Sequence, residues 1–234
     1  MLELINIVDE IYTDYPFFGT RKMSAYLQRG GYNVGRKLIR RIYQILGLEA
    51  VYPKPRTSVP NKENKIYPYL LNDIDVTHKD QVWSTDITYI RLHGGFVYLM
   101  AIIDWHSRYV LDWELDTSLG ADFCIETLKR VLRDNLCEIF NTDQGSQFTC
   151  SEFTDVLLQK QVQISMDGKG RALDNIFVER LWRSLKQECI YRHSFSTVRE
   201  AREEIKKYFD FYNNMRPHQS LQNKTPAETY RGKK

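Results

Sequence analysis

Over Leu2 to Tyr12 the apolar residues fall at positions 2, 5, 8, 11 and 12, a spacing that predicts an amphipathic helix. Asp14-Tyr15-Pro16 breaks it. A second helix is expected from Arg21 to Gln28, stopped at Gly30-Gly31. A third is expected between Gly35 and Gly47, with Leu38, Ile42 and Ile45 facing one way. From Gln81 the period changes. Val82 to Leu92 is rich in β-branched and aromatic residues and reads as a strand. His93-Gly94-Gly95 reads as a hairpin turn. Phe96 to Ile103 is a nearly unbroken apolar run, as expected of a strand covered on both faces. Arg108 to Leu115 alternates, with Tyr109, Leu111, Trp113 and Leu115 on one side. The pattern then predicts a helix around Ala121 to Leu132, a strand from Cys137 to Thr142, a helix near Ser151 to Lys160 and a strand from Val162 to Met166. A Gly-rich basic loop, Asp167 to Arg171, leads into a long helix from about Asp174 to Tyr191. A last helix covers roughly Val198 to Tyr212.

The order β-β-β-α-β-α-β-α is that of a ribonuclease H-like α/β fold, a mixed five-stranded sheet with flanking helices. Here it is preceded by a small all-helical segment. Residues 51–66 contain three prolines and several charges but no helical period, so they read as linker. The expected organisation is a helical, helix-turn-helix-like segment over 1–50, a linker over 51–77, and a catalytic core with a helical tail over 78–234.

Charge sharpens this division. The net charge is +3, yet residues 1–66 hold 11 Lys/Arg against 6 Asp/Glu, whereas residues 67–234 hold 22 against 24. A basic leading segment on a near-neutral body suits a polyanion-binding module joined to a second domain. In the third helix Arg36, Lys37, Arg40 and Arg41 surround the apolar stripe. That is the composition of a helix entering a DNA groove, or of the solvated face of a small bundle. No apolar run approaches the roughly 20 residues that span a bilayer, so the chain is expected to be soluble and cytoplasmic, with no membrane partner. Cys124, Cys137, Cys150 and Cys189 form no C-x-x-C pair and have no His at zinc spacing, which points to reduced thiols.

Three acids stand in unusual contexts. Asp86 is mid-strand between Trp83 and Tyr89, where an ionised group is costly without a partner. Asp143 ends a strand and opens the turn Gln144-Gly145-Ser146. Glu179 lies inside the long helix. At about 100° per residue, Asn175, Glu179, Trp182, Arg183 and Lys186 share one face, with Phe177, Leu181, Leu185 and Cys189 opposite. In a ribonuclease H-like topology the first and fourth strands are neighbours, so Asp86 and Asp143 can meet, and a helix bringing Glu179 alongside completes a carboxylate cluster. Such a cluster requires cations, and hard oxygen ligands suit Mg²⁺ or Mn²⁺. Two such ions can stabilise the attacking and leaving oxygens of a phosphoryl displacement. Spacing alone is weak support. With 16 Asp and 14 Glu in 234 residues, about one Asp–Glu pair at any given separation arises by chance. The strand, turn and helix contexts carry the inference instead. Candidate DNA contacts are Arg36, Lys37, Arg40, Arg41, Lys169, Arg171, Asn175, Arg183 and Lys186.

Trp83-Ser84-Thr85-Asp86-Ile87-Thr88-Tyr89 resembles the first-aspartate motif of bacterial insertion-sequence transposases with a retroviral-integrase-like core. Asn141-Thr142-Asp143-Gln144-Gly145-Ser146-Gln147-Phe148 is similar to their second motif. Asp174-Asn175-Ile176-Phe177-Val178-Glu179-Arg180, followed by Leu185-Lys186, is similar to the third. Tyr212-Asn213-Asn214-Met215-Arg216-Pro217-His218 and Thr225-Pro226-Ala227-Glu228 resemble the tail of that family, and Tyr15-Pro16-Phe17-Phe18-Gly19-Thr20-Arg21-Lys22 resembles the helical segment before its core. Arg216-Pro217-His218 also reads as a plain turn closing a helix, and no chemistry is assigned to it.

The resemblance implies a metal site at Asp86, Asp143 and Glu179, a DNA-contacting Lys186, and strand cleavage giving a 3′-hydroxyl that then attacks another phosphodiester. It also implies DNA ends and target as partners, a homo-oligomer on DNA, and an upstream-frame protein supplying a further helix-turn-helix. The His/Cys zinc module that precedes retroviral integrase cores has no counterpart in this sequence. Two other readings share the pattern: a ribonuclease H-type nuclease, which uses water throughout, and a truncated DNA-binding regulator of transposition without catalysis.

Overall fold

The computed structural model describes residues 2–50, 65–72, 74–168 and 175–232. Most of the expected linker, together with Lys169, Arg171 and Asp174, lies outside the described residues. The backbone divides into two compact units, Met1–Val59 and Pro60–Lys234.

The first unit contains α1 (Leu2–Asp14), α2 (Thr20–Arg29) and α3 (Arg36–Leu46). They pack around Val8, Met23, Leu27, Val34, Ile39, Ile42 and Tyr43. The inward stripe of α3 is thus Ile39, Ile42 and Tyr43, one residue out of phase with the expected Leu38, Ile42 and Ile45, and Ile45 is 60% exposed. The i, i+3, i+4 spacing from Ile39 brings in the Tyr43 ring, whose hydroxyl donates to the Phe18 carbonyl at 2.7 Å. Gly47, at φ 65°, closes α3 in the left-handed conformation that costs glycine least. Arg36, Lys37, Arg40 and Arg41 are all exposed.

The second unit carries a five-stranded sheet in the order β3-β2-β1-β4-β5. Its strands are β1 (Val82–Leu92), β2 (Gly95–Asp104), β3 (Val110–Asp116), β4 (Ile139–Thr142) and β5 (Gln163–Met166). The first three form an antiparallel meander, while β4 runs parallel to both β1 and β5. The helices are α4 (Asp122–Val131), α5 (Ser146–Thr149), α6 (Ser151–Gln159), α7 (Ile176–Glu188), α8 (Val198–Asn214) and α9 (Pro226–Arg231). Leu99, Ala101 and Ile103 of β2 face a core built with α7 and α8. Met100 and Ile102 face the opposite core, built with α4 and α6. Strand β2 is therefore apolar from Leu99 to Ile103 because it is covered twice.

Three expectations need correction. A bulge between Ile102 and Ile103 breaks the alternation of β3. It puts Val110 on the same side as Trp113 and Leu115, and sends Leu111 to the other core. The short helix α5 was not foreseen, since its four residues are too few to show a period. Val198–Asn214 is not the last helix: α9 follows, opened by Thr225 and Glu228 in a reciprocal capping box with Pro226 behind the cap.

The tail holds the sheet through one side chain. Asn213, on α8, donates to the Val110 carbonyl and accepts from the Val110 amide, both at 2.9 Å and both buried. Asn213→Ala leaves two backbone groups unpaired at the start of β3. It should lower stability by about 2–3 kcal/mol in urea unfolding. A loss below about 0.5 kcal/mol would mean that water replaces the amide.

Candidate active site

The ladder between β1 and β4 ends at Ser84 and Asn141. Two residues further along each strand stand Asp86 and Asp143. Asp143 follows the carboxyl end of β4 and Asp86 lies mid-β1, both just past the point where the two strands stop pairing; from there the chain continues from β1 toward one edge of the sheet and from β4 toward the other. In α/β sheets such a point opens a crevice. Both acids line one cleft of about 190 Å³, together with Tyr89, Gln147 and Phe148.

Alternation places Asp86 on the α7 side of β1, and α7 meets it there. The Trp182 indole N–H donates to Asp86 Oδ2 at 2.9 Å. Asn175, at the N-cap of α7, donates to the Thr85 carbonyl at 3.1 Å. The helix is thus pinned to the strand at the acid and at the residue before it. Asn175 was expected to touch DNA, but it is 6% exposed and its amide is committed to the strand. We therefore read it as a positioning residue. Sequence reasoning placed Trp182 on a polar face and missed its role. The available signal was an indole, the only ring among charged residues, one turn from Glu179.

Burial raises the Asp86 carboxyl to about 6; the Trp182 and Ile87 N–H groups oppose the rise, while the charges of Asp143 and Glu179 add to it. Burial also raises Asp143, against the pull of the Gly145 amide. That amide donates to Asp143 Oδ1 at 2.9 Å. A Cβ at Gly145 would sit 2.9 Å from the same oxygen, so the turn needs glycine for close approach.

Glu179 is exposed and lies in the adjoining depression, with Trp182, Arg183 and Lys186. Among the described residues, no three His, Cys, Asp or Glu side chains are gathered closely enough to hold an ion together. The fold therefore brings Asp86 and Asp143 to one cleft and leaves Glu179 beside it, close enough for its charge to be felt by Asp86. Lys186 Nζ lies 5.4 Å from the centre of the Tyr89 ring, at the rim of that cleft. The donor set suits a hard divalent cation. All the acids offer oxygen, and the proton affinity of Asp86 is raised by burial and by neighbouring negative charge, both of which a cation offsets.

The raised carboxyl has a consequence for stability. A group whose folded pKa lies above its unfolded value favours the folded state at low pH, and that contribution is lost as pH rises through the folded pKa. For Asp86 the window runs from the ordinary 3.8 to about 6. Asp86→Asn keeps an acceptor for Trp182 and removes the charge. The variant should match the wild-type chain near the bottom of this window and exceed it by roughly 1–2 kcal/mol at neutral pH. Urea midpoints across pH, without divalent ions, measure the difference. A pH-independent difference would contradict the assignment.

Residues 76–172 and 160–226 match the family described as Integrase core domain, and residues 2–56 match the HTH-like domain family. The transposase for insertion sequence element IS904 of Lactococcus lactis is 30% identical over 218 residues, spanning 90% of this chain and 86% of that protein. The transposase for insertion sequence element IS629 of Shigella sonnei is 28% identical, spanning 97% of this chain and 77% of that protein. The catalytic core domain of BIV integrase superposes with a TM-score of 0.53 over 65% of this chain and 95% of that one, at 17% identity, a likeness of fold. The order of strands, the two acids at the mouth of β1 and β4, and a sequence kinship running nearly end to end agree: the chain belongs to the insertion-sequence transposases that carry an integrase core domain.

Proposed function

We propose that this chain cleaves DNA strands at element ends and joins the freed 3′-hydroxyls to target DNA, with Asp86, Asp143 and Glu179 as the acids that hold the divalent ions. The observation that carries this reading is the pair of carboxylates sharing one cleft, both raised by desolvation, with a third acid close enough to add its charge at Asp86. Two Mg²⁺ or Mn²⁺ ions, when bound, would supply charge stabilisation for the oxygens entering and leaving phosphorus. The protein's part is to aim the ligands. Trp182 fixes the orientation of Asp86 and the Gly145 amide fixes that of Asp143. Lys186 at the rim and exposed Arg183 place cations where the scissile strand would pass. On the first unit, the exposed Arg36, Lys37, Arg40 and Arg41 of α3 offer a second, sequence-tolerant grip on phosphates.

Glu179→Gln separates chemistry from binding. It should abolish strand transfer in Mn²⁺ while leaving most of the affinity for a DNA end, because affinity rests on basic side chains. Gel shift and strand-transfer yield measured on one preparation check this, and full transfer by the variant would remove the reading. Hydrolysis without joining would instead favour a nuclease.

Gly145→Ala probes the turn. A methyl group there crowds the Asp143 carboxylate. Mn²⁺ affinity by calorimetry should fall roughly tenfold or more, as when a supporting partner of a ligand is lost. Unchanged affinity with an unchanged melting curve would show that Asp143 is not held by this turn for metal.

A further inference from the structure

The turn between β2 and β3 carries three oddities that the carboxylate site does not use. Arg108 sits at φ 63°, a left-handed conformation that favours Gly, Asn or Asp over a long side chain. The turn is tied tightly around Asp104, which accepts from the Asp80 and Ser107 amides, while the Arg108 amide donates to the Asp104 carbonyl. From there the Arg108 guanidinium lies over the ring of Phe177 on α7, 3.6 Å from its centre. The Trp105 ring packs edge-on against the same Phe177 at 4.9 Å. Its Nε1 is buried with no hydrogen-bond partner among the described residues.

Arg180 stands one helical turn beyond Phe177 and is exposed. Among the described residues neither Arg108 nor Arg180 has an ion pair or a side-chain acceptor. Two neighbouring cations, one of them half-buried and neither held in an ion pair, oppose folding. The local field bears this out. Burial lowers Arg108 to about 10, with the charge of Arg180 adding to the fall and the Tyr212 and Asp104 side chains opposing it without cancelling it. Burial and the charges of Arg216 and Arg108 lower His218 to about 4, so that imidazole is neutral and adds no anion or cation of its own. Glu188, the one acid on this flank of α7, is already bound by Arg216 and Tyr208.

We propose that Arg108 and Arg180, set around the Phe177 ring, form a phosphate-binding subsite for a DNA strand lying along the flank of α7 away from Glu179. Phe177 and Glu179 are about 160° apart around the helix, so this strand is not the one passing the carboxylates. A guanidinium held flat on a ring presents its fork edge-on, the geometry that takes two oxygens of one phosphate. The inference rests on the DNA-joining reading above and adds a second strand path to it.

The test uses the full chain and a short duplex of arbitrary sequence, with affinity followed over a salt series. Arg180→Gln changes an exposed helix position. Arg108→Asn removes the cation while tolerating the left-handed backbone. Each single variant should lower the slope of log affinity against log salt by about 1. The double variant should lower it by about 1 as well, because both arginines serve one phosphate. Mn²⁺ binding by calorimetry should match wild type in all three. Wild-type slopes in the variants, or a loss in the double variant twice that of either single, would overturn the subsite alone. If Arg108→Asn melts without cooperativity, Arg180→Gln decides. A wild-type chain with no salt-dependent DNA affinity would overturn the DNA-joining reading and the subsite with it.

Discussion

The second unit is organised around the cost of keeping a carboxylate inside a sheet. Asp86 is the one charged residue on a β1 face shared with Val82, Ser84, Thr88, Ile90 and Leu92, and burial is the largest of the causes that lift its pKa to about 6. The charge survives because β4 stops pairing two residues earlier, which opens a cleft, and because α7 delivers an indole N–H to it. A hydrogen bond to a charged acceptor is among the stronger ones. It is also directional, so it settles where the carboxylate points before any cation arrives. Stability is given up where neighbouring carboxylates repel one another.

That arrangement asks α7 to be rigid, and the tail supplies the rigidity. Val178, Leu181, Leu185 and Cys189 bury one side of the helix against β2 and α8. At its far end Glu188 accepts from Arg216 through both oxygens and from the Tyr208 hydroxyl. Arg216 also holds Glu188 below the usual carboxylate range. Arg216 therefore clamps the helix that bears Glu179 by holding Glu188, nine residues further along it. A plain turn describes the backbone there, and the clamp describes what the Arg216 side chain does. At the opposite end of the same unit the Tyr230 hydroxyl of α9 donates to Asp80, which also accepts from Trp83 Nε1 on β1. The tail thus braces both the strand that carries one acid and the helix that carries another.

Much of this was legible in the sequence, and the reason differs from part to part. The span of β1 is legible to the residue, because a stretch in which seven of eleven residues are β-branched or aromatic ends at a Gly-Gly turn. The neighbourhood of Asp86 and Asp143 followed from topology, since strand order fixes which ends are adjacent. What escaped detection was set by contacts between distant residues. The bulge at Leu111 responds to the Ile102–Ile103 register on the neighbouring strand, which no local period records. Asn175 looked like a surface amide beside a basic loop. It is buried because its partner, the Thr85 carbonyl, lies 90 positions earlier. The inward face of α3 was misread by one residue because Leu38–Ile42–Ile45 and Ile39–Ile42–Tyr43 are both helical stripes. Packing against Phe18, through the Tyr43 hydroxyl, chooses between them.

Helix α7 then shows how one segment can serve several surfaces at once. Its 13 residues offer a buried side, a flank with Glu179 and Lys186, and a flank with Phe177 and Glu188, with Arg180 and Arg183 on the exposed crest between. The apolar side determines where the helix lies. Once that is fixed, the roughly 100° step per residue leaves no choice about which polar groups reach the carboxylate cleft and which reach the turn between β2 and β3. Arginine at Arg108 is costly by backbone conformation and by burial, and glycine or asparagine would close the same turn more cheaply. A full guanidinium there, lying over the Phe177 ring, is the kind of local conflict expected of a binding position rather than of packing.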